Sequence, residues 1–93
     1  MEQTFIKINP ADSVVVCLQT ISKGEQIEID GKVIVVNQDT PAGHKILIHD
    51  TEAGKDIIKY GYPIGHAKCD LKAGDWINEN NLKTNLSGNL VFN

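Results

Sequence analysis

Four corners that end in glycine constrain what this chain can fold into. Lys23-Gly24, Ala42-Gly43, Ala53-Gly54 and Ala73-Gly74 each precede a short run of strand character: Gln26 to Ile29, Lys45 to His49, Ile57 to Tyr60, and Trp76-Ile77. Glycine tolerates the left-handed backbone that closes a turn, so each corner can stop one segment and launch the next in a new direction. The uneven spacing of the corners argues against a solenoid repeat. Phe5-Ile6-Lys7-Ile8 alternates, and Ser13 to Leu18 is nearly all apolar, as a central strand covered on both faces would be. Gln26 to Ile29 and Lys32 to Val36 flank Asp30-Gly31, a dipeptide suited to the positive φ angles of a type I′ hairpin turn. No stretch shows a capped 3.6-residue apolar period. The expectation is a mainly β, compact domain of short strands and Gly-rich turns with little or no helix.

A chain of 93 residues has room for one domain. At this size the buried core is small and stability is thin, so a partner surface or a homo-oligomer would help, particularly over exposed sheet edges. The net charge is −3 and all nine basic residues are lysine. That balance argues against nucleic acid, which calls for a basic patch. Without arginine there is no planar fork to clamp a carboxylate, so an anion must be held by lysine, backbone N–H groups, amides or a metal. No apolar run approaches the roughly 20 residues that span a bilayer. Met1-Glu2-Gln3-Thr4-Phe5 lacks the basic-then-apolar start of a signal peptide, and a cytoplasmic location is expected. Cys17 sits in an apolar run and reads as a small buried hydrophobe; Cys69 is far away, and no Cys-x-x-Cys pair exists to hold zinc.

A series of motifs then narrows the reading. Gly43-His44-Lys45 is followed by Ile58-Lys59-Tyr60-Gly61 with Ile64-Gly65, then by Ala73-Gly74 leading into Asn81, and by Leu82-Lys83-Thr84-Asn85-Leu86-Ser87. In this order and spacing they resemble the SAF domain of the altronate/galactarate dehydratase family. The resemblance implies a SAF-type β-clip domain over residues 1–84 with a polar tail at 85–93, although the ending Leu90-Val91-Phe92-Asn93 reads as a natural terminus. It implies a small subunit or N-terminal domain of a hydro-lyase that removes water from a sugar acid to give a 2-keto-3-deoxy acid. The partner implied is a large catalytic subunit, which would hold most of a divalent metal site (iron, manganese or magnesium), with no metal held by this chain alone. The small subunit of sulfolactate sulfo-lyase is a similar relative. One departure stands out: the family pattern ends in His-x-His-Asn, where this chain has Asn78-Glu79-Asn80-Asn81. Amides are poor transition-metal ligands and cannot serve as acid or base near neutral pH.

Dehydration beside a carboxylate needs a base for the α proton, help for the departing hydroxyl, and positive charge for the enolate-like intermediate. His44 is the candidate catalytic residue, as base, metal ligand or hydroxyl binder; its plainer reading is a turn histidine bonded to nearby backbone. Lys45 and Lys59 are candidate carboxylate binders, against the plainer reading of solvated strand lysines. Tyr60 offers a hydroxyl, although a tyrosine before glycine is more often a packing residue. Asn78, Asn80 and Asn81 are candidate polyol contacts, with turn formation as the alternative. If their segment is extended, Asn78 and Asn80 share a side and Asn81 points away. Trp76 reads as a core or interface anchor. Strand alternation keeps His44 and His49 apart, so a metal site from His44, His49 and His66 is not expected. Two classes of function remain, a hydro-lyase component inactive alone or a non-catalytic module that binds a sugar acid or only assembles with a partner, beside the plainer reading of a small β domain with no ligand.

Overall fold

The computed structural model describes residues 3–84, and the tail expected at 85–93 lies outside them. Nine short strands follow one another, with no helix among the described residues: β1 (Phe5–Ile6), β2 (Val14–Cys17), β3 (Gln26–Ile29), β4 (Lys32–Val35), β5 (Lys45–Leu47), β6 (Asp56–Lys59), β7 (Tyr62–Ala67), β8 (Trp76–Ile77) and β9 (Leu82–Thr84). A central antiparallel sheet has the order β1-β2-β5-β8; β3-β4 is a hairpin, and β6-β7-β9 forms a third sheet. The mainly β reading therefore holds. Two strands, β7 and β9, lie where the residue pattern suggests none.

The central sheet is apolar on both faces because alternate side chains of β2 and β5 feed two separate cores. Val15, Cys17, Ile46 and Ile48 pack with Ile27, Ile34 and Val36 from the first hairpin. Val14, Leu47 and Ile77 pack with Ile57, Ala67 and Leu71 from the second half of the chain. Each fully buried Ile or Leu contributes about 1.5–3 kcal/mol of transfer free energy. Both cysteines are free, Cys17 buried and Cys69 exposed.

The uneven corners conceal a duplication. Gly24, Asp30 and Gly31 recur thirty positions later as Gly54, Tyr60 and Gly61, all six with positive φ. The backbone bonding recurs as well: Gly24 N–H donates to Val36 O and Gly54 N–H to Ala67 O, both at 2.8 Å. Isolated bridges Ile21–Thr40 and Thr51–Leu71 close the two halves alike. The spacing slips by one residue inside β7. There Ile57 pairs with Gly65 and Ile58 with Pro63, leaving Ile64 as a β-bulge. One inserted residue thus separates two copies of a strand–corner–hairpin unit.

The second hairpin turns at Tyr60 (φ 57°) and Gly61 (φ 80°), as the first does at Asp30 (φ 53°) and Gly31 (φ 79°). Tyrosine is a poor occupant of that region, and a buried carboxylate supplies the compensation. Asp12, 1% exposed, accepts the Gly61 N–H at 2.7 Å and the Asn9 N–H at 3.1 Å. Ser13 Oγ accepts the Ile58 N–H at 3.1 Å. The segment between β1 and β2 therefore clasps the tip of the second hairpin.

Candidate functional site

His44 immediately precedes β5 and Lys45 opens it, and alternation sends their side chains to opposite faces of the central sheet. Lys45 pairs with Val16 on one side and with Ile77 on the other, which places it on the face that carries the second hairpin. Lys59 ends β6 in that hairpin. Burial holds the Lys45 ammonium below the usual lysine range, and the charge of Lys59 lowers it further. Neither lysine has a carboxylate within ion-pairing distance among the described residues. The Lys59 ammonium instead lies 4.7 Å from the centroid of the Tyr60 ring, a cation–π contact that leaves its charge uncompensated. Two like charges, one of them half-buried, form a local positive field suited to an anion.

His44 takes the other face. Its ring meets Trp76 edge to face, with centroids 5.1 Å apart and planes at 87°. The Trp76 indole N–H donates to His44 Nδ1 at 3.3 Å. Trp76 reaches this place because β8 pairs with β5, Ile46 opposite Trp76, so its side chain lies diagonally next to that of His44. Sequence reasoning does not connect the two, since the contact depends on pairing between segments thirty residues apart.

The asparagines form a turn rather than an extended strand, because their amides bond to the local backbone. Asn81 Oδ1 accepts the Asn78 N–H at 2.9 Å, and Asn78 Oδ1 accepts the Asn80 N–H at 2.8 Å. Asn81 Nδ2 donates to the Trp76 carbonyl at 2.9 Å. Asn78 and Asn81 are therefore engaged in holding the β8–β9 turn, whereas Asn80 is exposed. The six candidates and His44 fall into two groups: Lys45, Lys59 and Tyr60 on one face, and His44 with Trp76 and the asparagine turn toward the β8 edge.

His49 lies apart from both groups, with Lys32 Nζ 3.0 Å from its Nδ1. Burial, then the charges of Lys32 and Lys7, hold it below the usual histidine range. No group of three His, Cys, Asp or Glu side chains converges among the described residues.

Comparison with known proteins decides the relationship. Residues 3–85 match the altronate/galactarate dehydratase SAF domain. The chain belongs to that family. Altronate dehydratase of Bacillus subtilis (strain 168) is 44% identical over 85 residues, which is 91% of this chain and 17% of that protein. Altronate dehydratase of Escherichia coli (strain K12) is 39% identical over 83 residues, 89% of this chain and 17% of that protein. Galactarate dehydratase (L-threo-forming) of the same strain is 31% identical over 77 residues, 81% of this chain and 14% of that protein. The chain thus spans only 17% or less of the length of these relatives. For a SAF domain of this family, the all-β architecture of the described residues, with Lys45 in β5, Lys59 in β6 and His44 just before β5, gives the motifs a physical setting.

Proposed function

We propose that this SAF domain supplies substrate-binding groups to a sugar-acid hydro-lyase of the altronate dehydratase type, at a site shared with a large catalytic subunit. The observation that carries the proposal is the Lys45–Lys59 pair, mutually repulsive, half-buried and without an acidic partner among the described residues. Such an arrangement costs stability unless an anion completes it. A substrate carboxylate is the anion that the family relation favours. On this reading Lys45 and Lys59 hold the carboxylate, and their charge supports the enolate-like intermediate as it forms. Tyr60, half exposed at the hairpin tip, offers its hydroxyl next to Lys59. His44, through Nε2, and the Asn80 amide meet hydroxyl oxygens at the β8 edge. The large subunit would supply the base and any divalent metal. Exposed Val33, Val35 and Tyr62 offer apolar surface for that subunit, which also favours an assembly role.

The test is titration of the chain with altronate, galactarate and sulfolactate, followed by amide chemical shifts. The expected result is saturable movement centred on Lys45, Lys59 and Tyr60. Lys45→Gln and Lys59→Gln would each weaken binding about tenfold, since a charge-assisted bond to a partly solvated carboxylate contributes about 1.5 kcal/mol. In the assembled enzyme the same substitutions would raise KM. Unchanged KM in both variants would refute the substrate role.

A further inference from the structure

We propose that Trp76 is a positioning residue: it holds His44 in the tautomer protonated at Nε2, and Asn81 in turn secures Trp76. The inference rests on the reading of His44 as a ligand-facing group and deepens it. An indole N–H can only donate, so the 3.3 Å contact has one direction, with His44 Nδ1 as acceptor. The edge-to-face packing at 87° fixes the plane of the imidazole as well. A ring protonated at Nδ1 would set two N–H donors against each other at that distance. The neutral ring therefore carries its proton on Nε2. What His44 presents to a ligand is a donor, and the atom it meets must be an acceptor: a hydroxyl oxygen or a carboxylate oxygen. The lone pair that a general base would need is already occupied by the indole.

Trp76 needs support for this role, because β8 is two residues long and lies at the edge of its sheet. The turn that follows supplies it. The Trp76 carbonyl accepts Asn81 Nδ2 at 2.9 Å and Asn78 Nδ2 at 3.5 Å, and Asn81 Oδ1 ties back to the Asn78 N–H at 2.9 Å. The amides at 78 and 81 thus act on His44 through the tryptophan, without touching the ligand.

The experiment is long-range proton–nitrogen NMR on the intact chain, labelled with nitrogen-15, at a pH where His44 is neutral. The expected spectrum has His44 Nε2 protonated and Nδ1 bare, with a scalar coupling across the bond from Trp76 Nε1–H to Nδ1. Trp76→Phe keeps an aromatic ring but removes the donor; the coupling is lost and the Nδ1–H tautomer becomes populated. Asn81→Ala leaves both rings in place and weakens the coupling. A wild-type spectrum with Nδ1 protonated, or an unchanged tautomer balance in Trp76→Phe, would overturn the proposal. The coupling from Trp76 Nε1–H to His44 Nδ1 is read in the wild type, and its absence there would overturn the proposal even if a variant fails to fold. Sugar-acid titration is read separately, so failure of the substrate role and failure of the Trp76–His44 geometry are distinct results.

Discussion

Asp12→Ala is the most revealing perturbation of this domain, because a single buried carboxylate closes the turn that presents Lys59 and Tyr60. Asp12 accepts two backbone N–H groups, from Gly61 at 2.7 Å and from Asn9 at 3.1 Å. A hydrogen bond to a charged acceptor contributes about 1.5–3 kcal/mol. The Gly61 bond lies at the upper part of that range by its length. The Asn9 bond is longer and lies at the lower part. Both donors are partly buried, so water recovers some of the loss, and a net cost of about 3 kcal/mol is expected. For a domain of this size each kcal/mol moves the midpoint by about 4–8 °C. Thermal unfolding followed by circular dichroism should therefore show Tm lower by about 12–24 °C. Asp12→Asn keeps one carbonyl acceptor but turns an amide donor toward the other N–H, and should fall between the two. In a folded Asp12→Ala sample at low temperature, the Gly61 amide should lose its protection from hydrogen exchange. A drop of less than about 4 °C, with the Gly61 amide still protected, would refute the clasp.

Three further outcomes follow from the same geometry. Gly74→Ala should be far more damaging than Gly24→Ala: a Cβ at Gly74 would lie 2.1 Å from Val35 O, whereas one at Gly24 meets nothing within 4 Å. Both carry the positive-φ penalty of about 1–2 kcal/mol, so chemical denaturation should show that loss for Gly24→Ala and a markedly larger one for Gly74→Ala. Lys45→Met should raise stability at neutral pH, because Lys45 is held below the usual lysine range by burial and then by Lys59. The unfolded chain binds that proton more tightly, so the penalty is present below the lowered pKa and is relieved as pH climbs toward 10.5. The advantage of the variant, read as Tm against pH, should shrink across that window; a gap constant to the upper end would contradict it. Asn81→Ala should cost about 1–2 kcal/mol by removing two side-chain hydrogen bonds, while Asn80→Ala should stay within about 0.5 kcal/mol; equal losses in urea unfolding would dismiss the bracket around Trp76.

Much of the fold is legible in residue order. Asp30-Gly31 announces the first hairpin because that dipeptide satisfies a type I′ turn at little cost, and the turn stands with both φ angles positive. The Ser13 to Leu18 run announces a strand buried on both faces, and Val14, Val15 and Cys17 are buried. The second hairpin is hidden for two physical reasons. Tyr60 is a poor residue for a left-handed turn, and Pro63 weakens any strand reading around it. The turn is held from elsewhere by Asp12, and the bulge at Ile64 disguises the alternation and the repeat. For β9, a three-residue segment, pairing with β7 confers strand identity.

By itself the sequence determined the local grammar: where the chain turns, which runs are extended, and that its positive charge is lysine alone. These depend on backbone preference and composition, which each residue carries wherever it sits. Tertiary structure alone decided which groups meet. Pairing of β5 with β8 joins Trp76 to His44, and the second hairpin folded over the opposite face carries Lys59 toward Lys45. Both placements depend on register between distant segments, where a shift of one residue turns every side chain to the other face. The one-residue bulge in β7 shows how narrowly that register is set.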